Sequence, residues 1–263
     1  MTVRLLPGAL VLALLLAPIA TRRGAAQEIP AAEQYHVRVE YLLWSPQPVG
    51  QLQKGVSDRE GTLIDAVADL GMQSAAANEL RAVLRLGAAW KLRGSWSPID
   101  FQGELAAPRA FSYGTAVVSA GDDVRCSIKG NYGSAELEWD FVRQPQGFVG
   151  LLVGTRIIDV DTLLLNVGTA DRVVETQRFP IPVLGLTGRY YLGRRFSVEG
   201  ELAGLTIGDR GHIWEWAVAG RVHVLDRFAG TVGYRKIGLA GRTNRDFLQL
   251  DLGRWTLGIE ISL

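Results

Sequence analysis

The chain has 263 residues, with 28 Lys and Arg against 27 Asp and Glu, so its formal charge at neutral pH is only +1. This balance excludes the basic excess that nucleic-acid binding needs, and we expect no nucleic-acid partner. The 31 glycines and 7 tryptophans suit curved strands and membrane interfaces, and the single cysteine, Cys126, excludes an internal disulfide.

Residues 1–26 are predicted to form a signal peptide. Arg4 gives a positive start, an apolar run extends from Leu5 to Ala20, and the small residues Gly24–Ala26 precede Gln27. The alternative is a transmembrane anchor, for which this apolar run is short. We therefore predict an exported domain over residues 27–263.

Segments in which apolar and polar residues alternate recur throughout this domain, which is typical of strands with one apolar and one polar face. In the last segment the apolar phase changes near Gly253, which predicts a β-bulge there. The ten predicted strands are Tyr35–Trp44, Glu79–Leu86, Ala89 to about Phe101, Val124–Val142, Gly147 to about Leu163, Val174–Leu192, Phe196–Ile207, Ile213–Leu225, Phe228 to about Leu239 and Phe247–Leu263.

The predicted connections alternate between short and mostly longer ones, as the periplasmic turns and outer loops of an outer-membrane barrel do. The first outer loop, about residues 46–78, is too long to lack structure of its own. Thr62–Gly71 within it predicts a short amphipathic helix, with Thr62 and Asp65 as a capping pair. A loosely ordered loop is the alternative for this segment.

These patterns predict an all-β fold, an antiparallel up-and-down transmembrane β-barrel of about ten strands, with eight strands as the alternative. A β-sandwich would also bury apolar faces, but it would not explain the two signs of charge on the polar faces. Nor would it explain aromatic residues near strand ends, which a barrel places at the membrane interfaces. The predicted interface aromatics are Trp90, Trp139, Phe141, Tyr190, Phe196, Trp214, Trp216, Phe228 and Trp255.

The polar faces should line the lumen, and their nearly equal numbers of acids and bases predict a packed network of ion pairs. A barrel of this size is narrow enough for side chains nearly to fill it, although a thin pore for small solutes or ions remains an alternative. The residues predicted to form the network are Arg38, Glu40, Arg81, Arg85, Arg93, Glu136, Glu138, Asp140, Arg156, Arg189, Glu199, Glu201, Glu215, Arg221, Arg235, Arg254 and Glu260.

No catalytic, metal-binding or cofactor motif stands out. The best candidate for a hydrolytic site at the outer rim combines His212 and Asp209 with Asp159 and Asp161. The two last residues are also candidate ligands of a divalent cation. A solvated loop and strand end explain the same residues, so we predict no catalytic residue, metal or cofactor.

The export signal, strands such as Tyr132–Val142 and the last strand, Trp255–Leu263, make the chain resemble small bacterial outer-membrane β-barrels, the group of OmpA-like barrel domains and opacity-type surface proteins. That group usually ends in an aromatic residue, whereas this chain ends in Leu263.

This resemblance implies a monomer in the outer membrane of a Gram-negative bacterium. Its expected partners are membrane lipid, lipopolysaccharide and, during biogenesis, the barrel-assembly machinery. It also implies a structural or surface-interaction role through the outer loops. A narrow pore is the alternative function, and a lipid-modifying or proteolytic enzyme is a third hypothesis.

Overall fold

The computed structural model describes residues 33–56 and 59–263, without the side chain of Asp209. The predicted signal peptide lies outside these residues. The described chain is built from strands and a short 3-10 helix at Gly208–Arg210, and it contains no helix with the length and hydropathy to cross a membrane. The strands are β1 Val37–Trp44, β2 Pro48–Gln53, β3 Ile64–Asp65, β4 Ala77–Arg85, β5 Trp90–Ala106, β6 Phe111–Tyr113, β7 Ala116–Val118, β8 Asp123–Gln144, β9 Gly147–Asn166, β10 Arg172–Tyr191, β11 Phe196–Thr206, β12 Gly211–Leu225, β13 Phe228–Arg242 and β14 Phe247–Ser262.

The sheet closes on itself. Antiparallel neighbours follow the order β1-β4-β5-β8-β9-β10-β11-β12-β13-β14, and β14 pairs back to β1. After a break at residues 45–47, β2 continues β1 along the same edge of β14, with Pro48 opposite Leu252. β1 and β2 thus occupy one strand position, and the barrel has ten strands. The predicted fold class and strand number are confirmed.

We call the end with the chain termini and the turns of residues 86–89, 145–146, 192–195 and 226–227 the lower end. The upper end carries the longest connections, which hold β3 and the β6–β7 hairpin. Three other upper connections, after β9, β11 and β13, have only four or five residues.

The prediction of a bulge at Gly253 is wrong. Gly253 pairs with Lys236 between the regular pairs Leu252–Ile237 and Arg254–Arg235, so the register of β13 and β14 is continuous. The apolar phase changes because the barrel interior becomes apolar above this height, where Leu252 is buried. The irregular pairings lie elsewhere, at residues 140–142 of β8 and 223–225 of β12.

The predicted helix over Thr62–Gly71 does not form. Ile64–Asp65 is strand β3, and residues 66–70 make a turn in which the amides of Val67 and Ala68 donate to the Asp65 carboxylate. Gly71 ends the turn at φ +64°, a backbone conformation that favours glycine. The segment folds this way because its apolar side chains pack against the β6–β7 hairpin instead of forming one helical face.

The outer surface has an apolar band with polar limits. Exposed apolar side chains such as Leu80, Leu137 and Leu257 face away from the lumen. Above them lie outward ion pairs, with 2.6 Å between Arg178 and Asp159. The other outward pairs at this level are Asp100–Lys129 and Lys236–Asp251. A lipid-facing band between polar zones is what a membrane-spanning barrel presents to its surroundings.

The structure places the predicted interface aromatics on this outer surface at two heights. Near the lower turns the rings of Trp90 and Trp139 stack with centroids 6.1 Å apart. Higher up, Tyr234 stacks on Trp216 and contacts the edge of Trp255. The lower group contains Trp90, Trp139, Phe141, Tyr190, Phe196 and Phe228, and the higher group contains Trp214, Trp216 and Trp255.

Candidate functional site

The lower half of the lumen is filled by charged side chains, which point inward because they alternate with the lipid-facing residues. Arg156 on β9 is a centre of this arrangement. Its guanidinium lies 2.6 Å from the Glu136 carboxylate, 2.8 Å from Glu215 and 3.5 Å from Glu201. The Arg156 side chain is only 2% exposed. Several carboxylates on one buried guanidinium satisfy its donors where water is scarce.

A second centre lies closer to the lower end. Arg189 is 2.7 Å from Glu260, and Arg221 is 2.8 Å from the same carboxylate. Arg221 also pairs with Glu40 at 2.9 Å, and both arginines contact Glu199. These contacts join β1, β10, β11, β12 and β14 across the lumen. The ion pairs therefore tie together strands that are far apart around the barrel wall.

The structure brings sixteen of the predicted network residues into ion pairs and leaves Arg254 outside them. Arg254 is exposed and takes part in none of the ion pairs found among the described side chains. Lys91, which the alternation also places in the lumen, pairs with Glu138 at 2.7 Å and with Asp140 at 2.8 Å. Glu79 pairs with Arg81 and Arg235. We call the sixteen residues together with Glu33, Glu79 and Lys91 the lower network.

Glu33 was missed by sequence reasoning because it precedes the first strand, where alternation carries no signal. Its carboxylate lies 2.9 Å from Arg38 and 2.8 Å from Arg85, and it accepts a 2.6 Å hydrogen bond from the Tyr191 hydroxyl. The segment before β1 thus reaches into the lower mouth of the barrel. The free space enclosed by the lower network is about 40 Å³, room for a few water molecules.

In the upper half of the lumen, the inward-facing side chains are mostly apolar instead of charged. Above the lower network, a layer of packed side chains that includes Phe101, Ile158, Ile237 and Leu252 spans the interior. Tyr132 belongs to this layer, and its hydroxyl donates a 2.8 Å hydrogen bond to Glu215. The apolar layer therefore rests directly on the charged one.

A cavity of about 400 Å³ lies above this layer, and we call it the upper cavity. Its wall carries partly exposed apolar side chains from β5, β8, β9, β10, β13 and β14. They are Ile99, Ile128, Val160, Phe179, Leu239 and Leu250.

Charged residues surround the mouth of the upper cavity. Lys54 pairs with Glu175 on one side of the mouth. The exposed side chains of Arg210, Arg242 and Arg245 belong to the rim. The Asp246 carboxylate there accepts a hydrogen bond from the amide of Gly55. The described rim is therefore more basic than acidic.

Beside the mouth, β3, the turn at residues 66–70 and the β6–β7 hairpin form a small apolar core that we call the cap. Arg109 holds the cap together from outside, since its guanidinium donates to the Asp69 carboxylate at 2.6 and 3.0 Å and to the Leu63 carbonyl at 2.8 Å. The hydrogen bonds from Arg109 lower the pKa of Asp69 below its usual value. Burial raises the pKa of Tyr113 in the cap to about 12.

The structure does not bring His212 together with Asp159 and Asp161. Asp159 pairs with Arg178, and Asp161 accepts a 2.5 Å hydrogen bond from Thr176, both on the outer surface of β9 and β10. His212 is exposed on β12, which is separated from β9 by β10 and β11. Nor do any three His, Cys, Asp or Glu side chains of the described residues cluster as a metal site requires.

A Ser–His pair that the sequence did not single out lies inside the lower end. The Ser197 hydroxyl and the Nε2 atom of His223 are 2.9 Å apart, and both side chains are buried. The imidazole also lies beside the ring of Tyr191, with centroids 5.8 Å apart. The pair therefore packs within the barrel wall and lower lumen, away from the upper cavity.

Comparison with known proteins supports the fold at low sequence identity. No protein-family model matches the chain, and no curated protein matches its sequence. Among solved structures, the outer membrane protease OmpT from Escherichia coli is 11% identical with a TM-score of 0.56, covering 86% of this chain and 96% of OmpT. The translocator domain of autotransporter NalP from Neisseria meningitidis is 10% identical with a TM-score of 0.50, covering 97% of this chain and 94% of that domain.

The closed sheet, the apolar outer band and these structural neighbours define the class of protein. The chain is a small outer-membrane β-barrel, and the outer membrane is where it resides. Because barrels of this class carry short periplasmic turns and longer outer loops, we expect the lower end to face the periplasm and the upper cavity and cap to be extracellular.

Proposed function

We propose that the protein is a closed outer-membrane barrel that acts through its extracellular face and does not conduct ions. The observation that carries this proposal is the lower network, which leaves only about 40 Å³ free among its side chains. Its charges are paired across the lumen, and separating buried partners to open a path would leave charges unpaired at a cost of several kcal/mol. The cap and the upper cavity are the parts left available to outside partners.

A narrow pore is the competing function, and conductance in planar lipid bilayers separates the two. The wild-type barrel should give no stable openings. A lumen variant, Arg93→Ala with Glu201→Ala, removes an inward-facing ion pair. It should give detectable current, and that current serves as the positive control for an opened barrel. The matched control, Arg178→Ala with Asp159→Ala, removes an outward pair and should stay silent. Stable, ion-selective openings of the wild type would overturn the proposal.

A further inference from the structure

The upper cavity exposes apolar side chains where a barrel open to water would present polar ones. Phe179 is 41% exposed although it faces inward, opposite the buried Ile158. Val160 and Leu250 are also partly exposed in the same space. Apolar surface in contact with water is unfavourable in proportion to its area, so an apolar molecule that displaces this water is stabilised.

The size and shape of the upper cavity suit a small molecule. Its volume of about 400 Å³ falls within the usual range of ligand pockets, roughly 300 to 1,000 Å³. The layer containing Phe101 and Tyr132 closes it below, and it opens at the extracellular mouth. A ligand would therefore enter from outside and stop at the floor.

The rim indicates which polar group such a ligand carries. Among the side chains of the rim that the structure describes, Lys54, Arg210, Arg242 and Arg245 carry positive charge, whereas Glu175 and Asp246 carry negative charge. Lys54 is already paired with Glu175. Arg210 and Arg242 reach both the rim and the cavity. Guanidinium groups bind carboxylates and related anions through paired hydrogen bonds.

We infer that the upper cavity binds a small amphipathic anion, with its alkyl or aromatic body against the apolar wall and its carboxylate or similar head at Arg210 and Arg242. This inference rests on the proposed function in one respect: the closed lower lumen makes the cavity a binding site and not the entrance of a path.

The test uses decanoate with a terminal trifluoromethyl group, followed by fluorine NMR with the barrel in lipid nanodiscs and with empty nanodiscs as the background. Saturable binding above that background is expected. Ile158→Trp fills the base of the cavity and should weaken binding at least tenfold. The matched control, Ile157→Trp, places the same ring on the lipid-facing side of the same strand and should leave binding unchanged.

The head-group assignment is tested by exposed residues whose replacement does not threaten folding. Arg210→Gln with Arg242→Gln should weaken decanoate binding several-fold and leave binding of the uncharged analogue, decanol, unchanged. Equal loss for both ligands, or no loss for either, would overturn the anionic head. Absence of saturable decanoate binding to the wild type would overturn the site itself.

These outcomes are distinct from a failure of the proposed function. Conductance by the wild type together with saturable binding would overturn only the closed barrel. Silent bilayers without saturable binding would overturn only the ligand site.

Discussion

At the scale of single residues, the lower network explains why so many charges are tolerated inside a narrow barrel. Each carboxylate of the lower network forms an ion pair with one or more guanidinium or ammonium groups. Glu260, for example, pairs with Arg38, Arg189 and Arg221. Buried charges that are paired and hydrogen-bonded are tolerated, but removal of one partner leaves the other without compensation. Removal of an arginine from the lower network should therefore lower the free energy of unfolding.

Replacement of Arg156 by Met should test this directly. It leaves Glu136 and Glu215 without their shared guanidinium, and we expect the free energy of unfolding to fall by about 3–5 kcal/mol. Urea titration of the barrel in lipid vesicles measures it. The control, Arg178→Met, removes an exposed pair and should cost about 0–1 kcal/mol. Equal stability of Arg156→Met and the wild type would contradict the importance of the network.

At the residue level, the sequence allows a side chain to be assigned to the lumen where strand alternation applies. Arg38, Arg93 and Glu215 could be placed in the lumen because their neighbours in sequence face lipid. Glu33 could not, because no strand contains it, and its position depends on a tertiary contact with Arg38 and Tyr191. Arg254 has the inward parity but lies exposed, opposite the break in the β1–β2 edge, which alternation does not reveal.

At the scale of elements, strand positions were predictable to within a few residues, as β8 and β11 show. The height at which the inward-facing side chains of a strand change from charged to apolar was not predictable. In β14, Leu252 has the same inward parity as Thr256 and Glu260, so the apolar phase inverts without any change of register. A bulge and an inversion give the same sequence pattern, and only pairing with β13 distinguishes them.

The cap should respond to acid through Asp69. Its pKa is lowered in the folded state by the hydrogen bonds from Arg109, so this carboxylate stabilises the cap above the unfolded value of about 3.9. That stabilisation is lost as the pH falls through the lower, folded-state pKa. Hydrogen-exchange protection of the Gly71 and Met72 amides, which bond to the carbonyls of Val67 and Ala66, should drop in this range.

Asp69→Asn is the matched variant for this prediction. It should reduce the same protection already at neutral pH and remove most of the acid dependence, because the charge-assisted bonds to Arg109 are gone. Asp226→Asn, in a periplasmic turn, should leave the cap amides unaffected. Acid dependence of the cap that persists undiminished in Asp69→Asn would contradict the role of this carboxylate.

At the scale of the whole molecule, the barrel combines three layers: a lipid-facing band outside, paired charges in the lower lumen, and an apolar cavity beneath the extracellular mouth. The first two follow from alternation and charge balance in the sequence. The third depends on which strands extend above the lipid, where the outside becomes polar and the inside can become apolar. The proposed function requires a lumen that is closed between the upper cavity and the periplasm.

Thiol labelling with a membrane-impermeant, charged reagent tests that claim most directly. In a Cys126→Ser background, a cysteine replacing Leu250 should react from the extracellular side, because Leu250 lines the upper cavity. A cysteine replacing Ser134, which lies beside the lower network, should react from neither side. Rapid labelling of the Ser134→Cys barrel from outside would show that the lumen is continuous and would contradict the closed barrel.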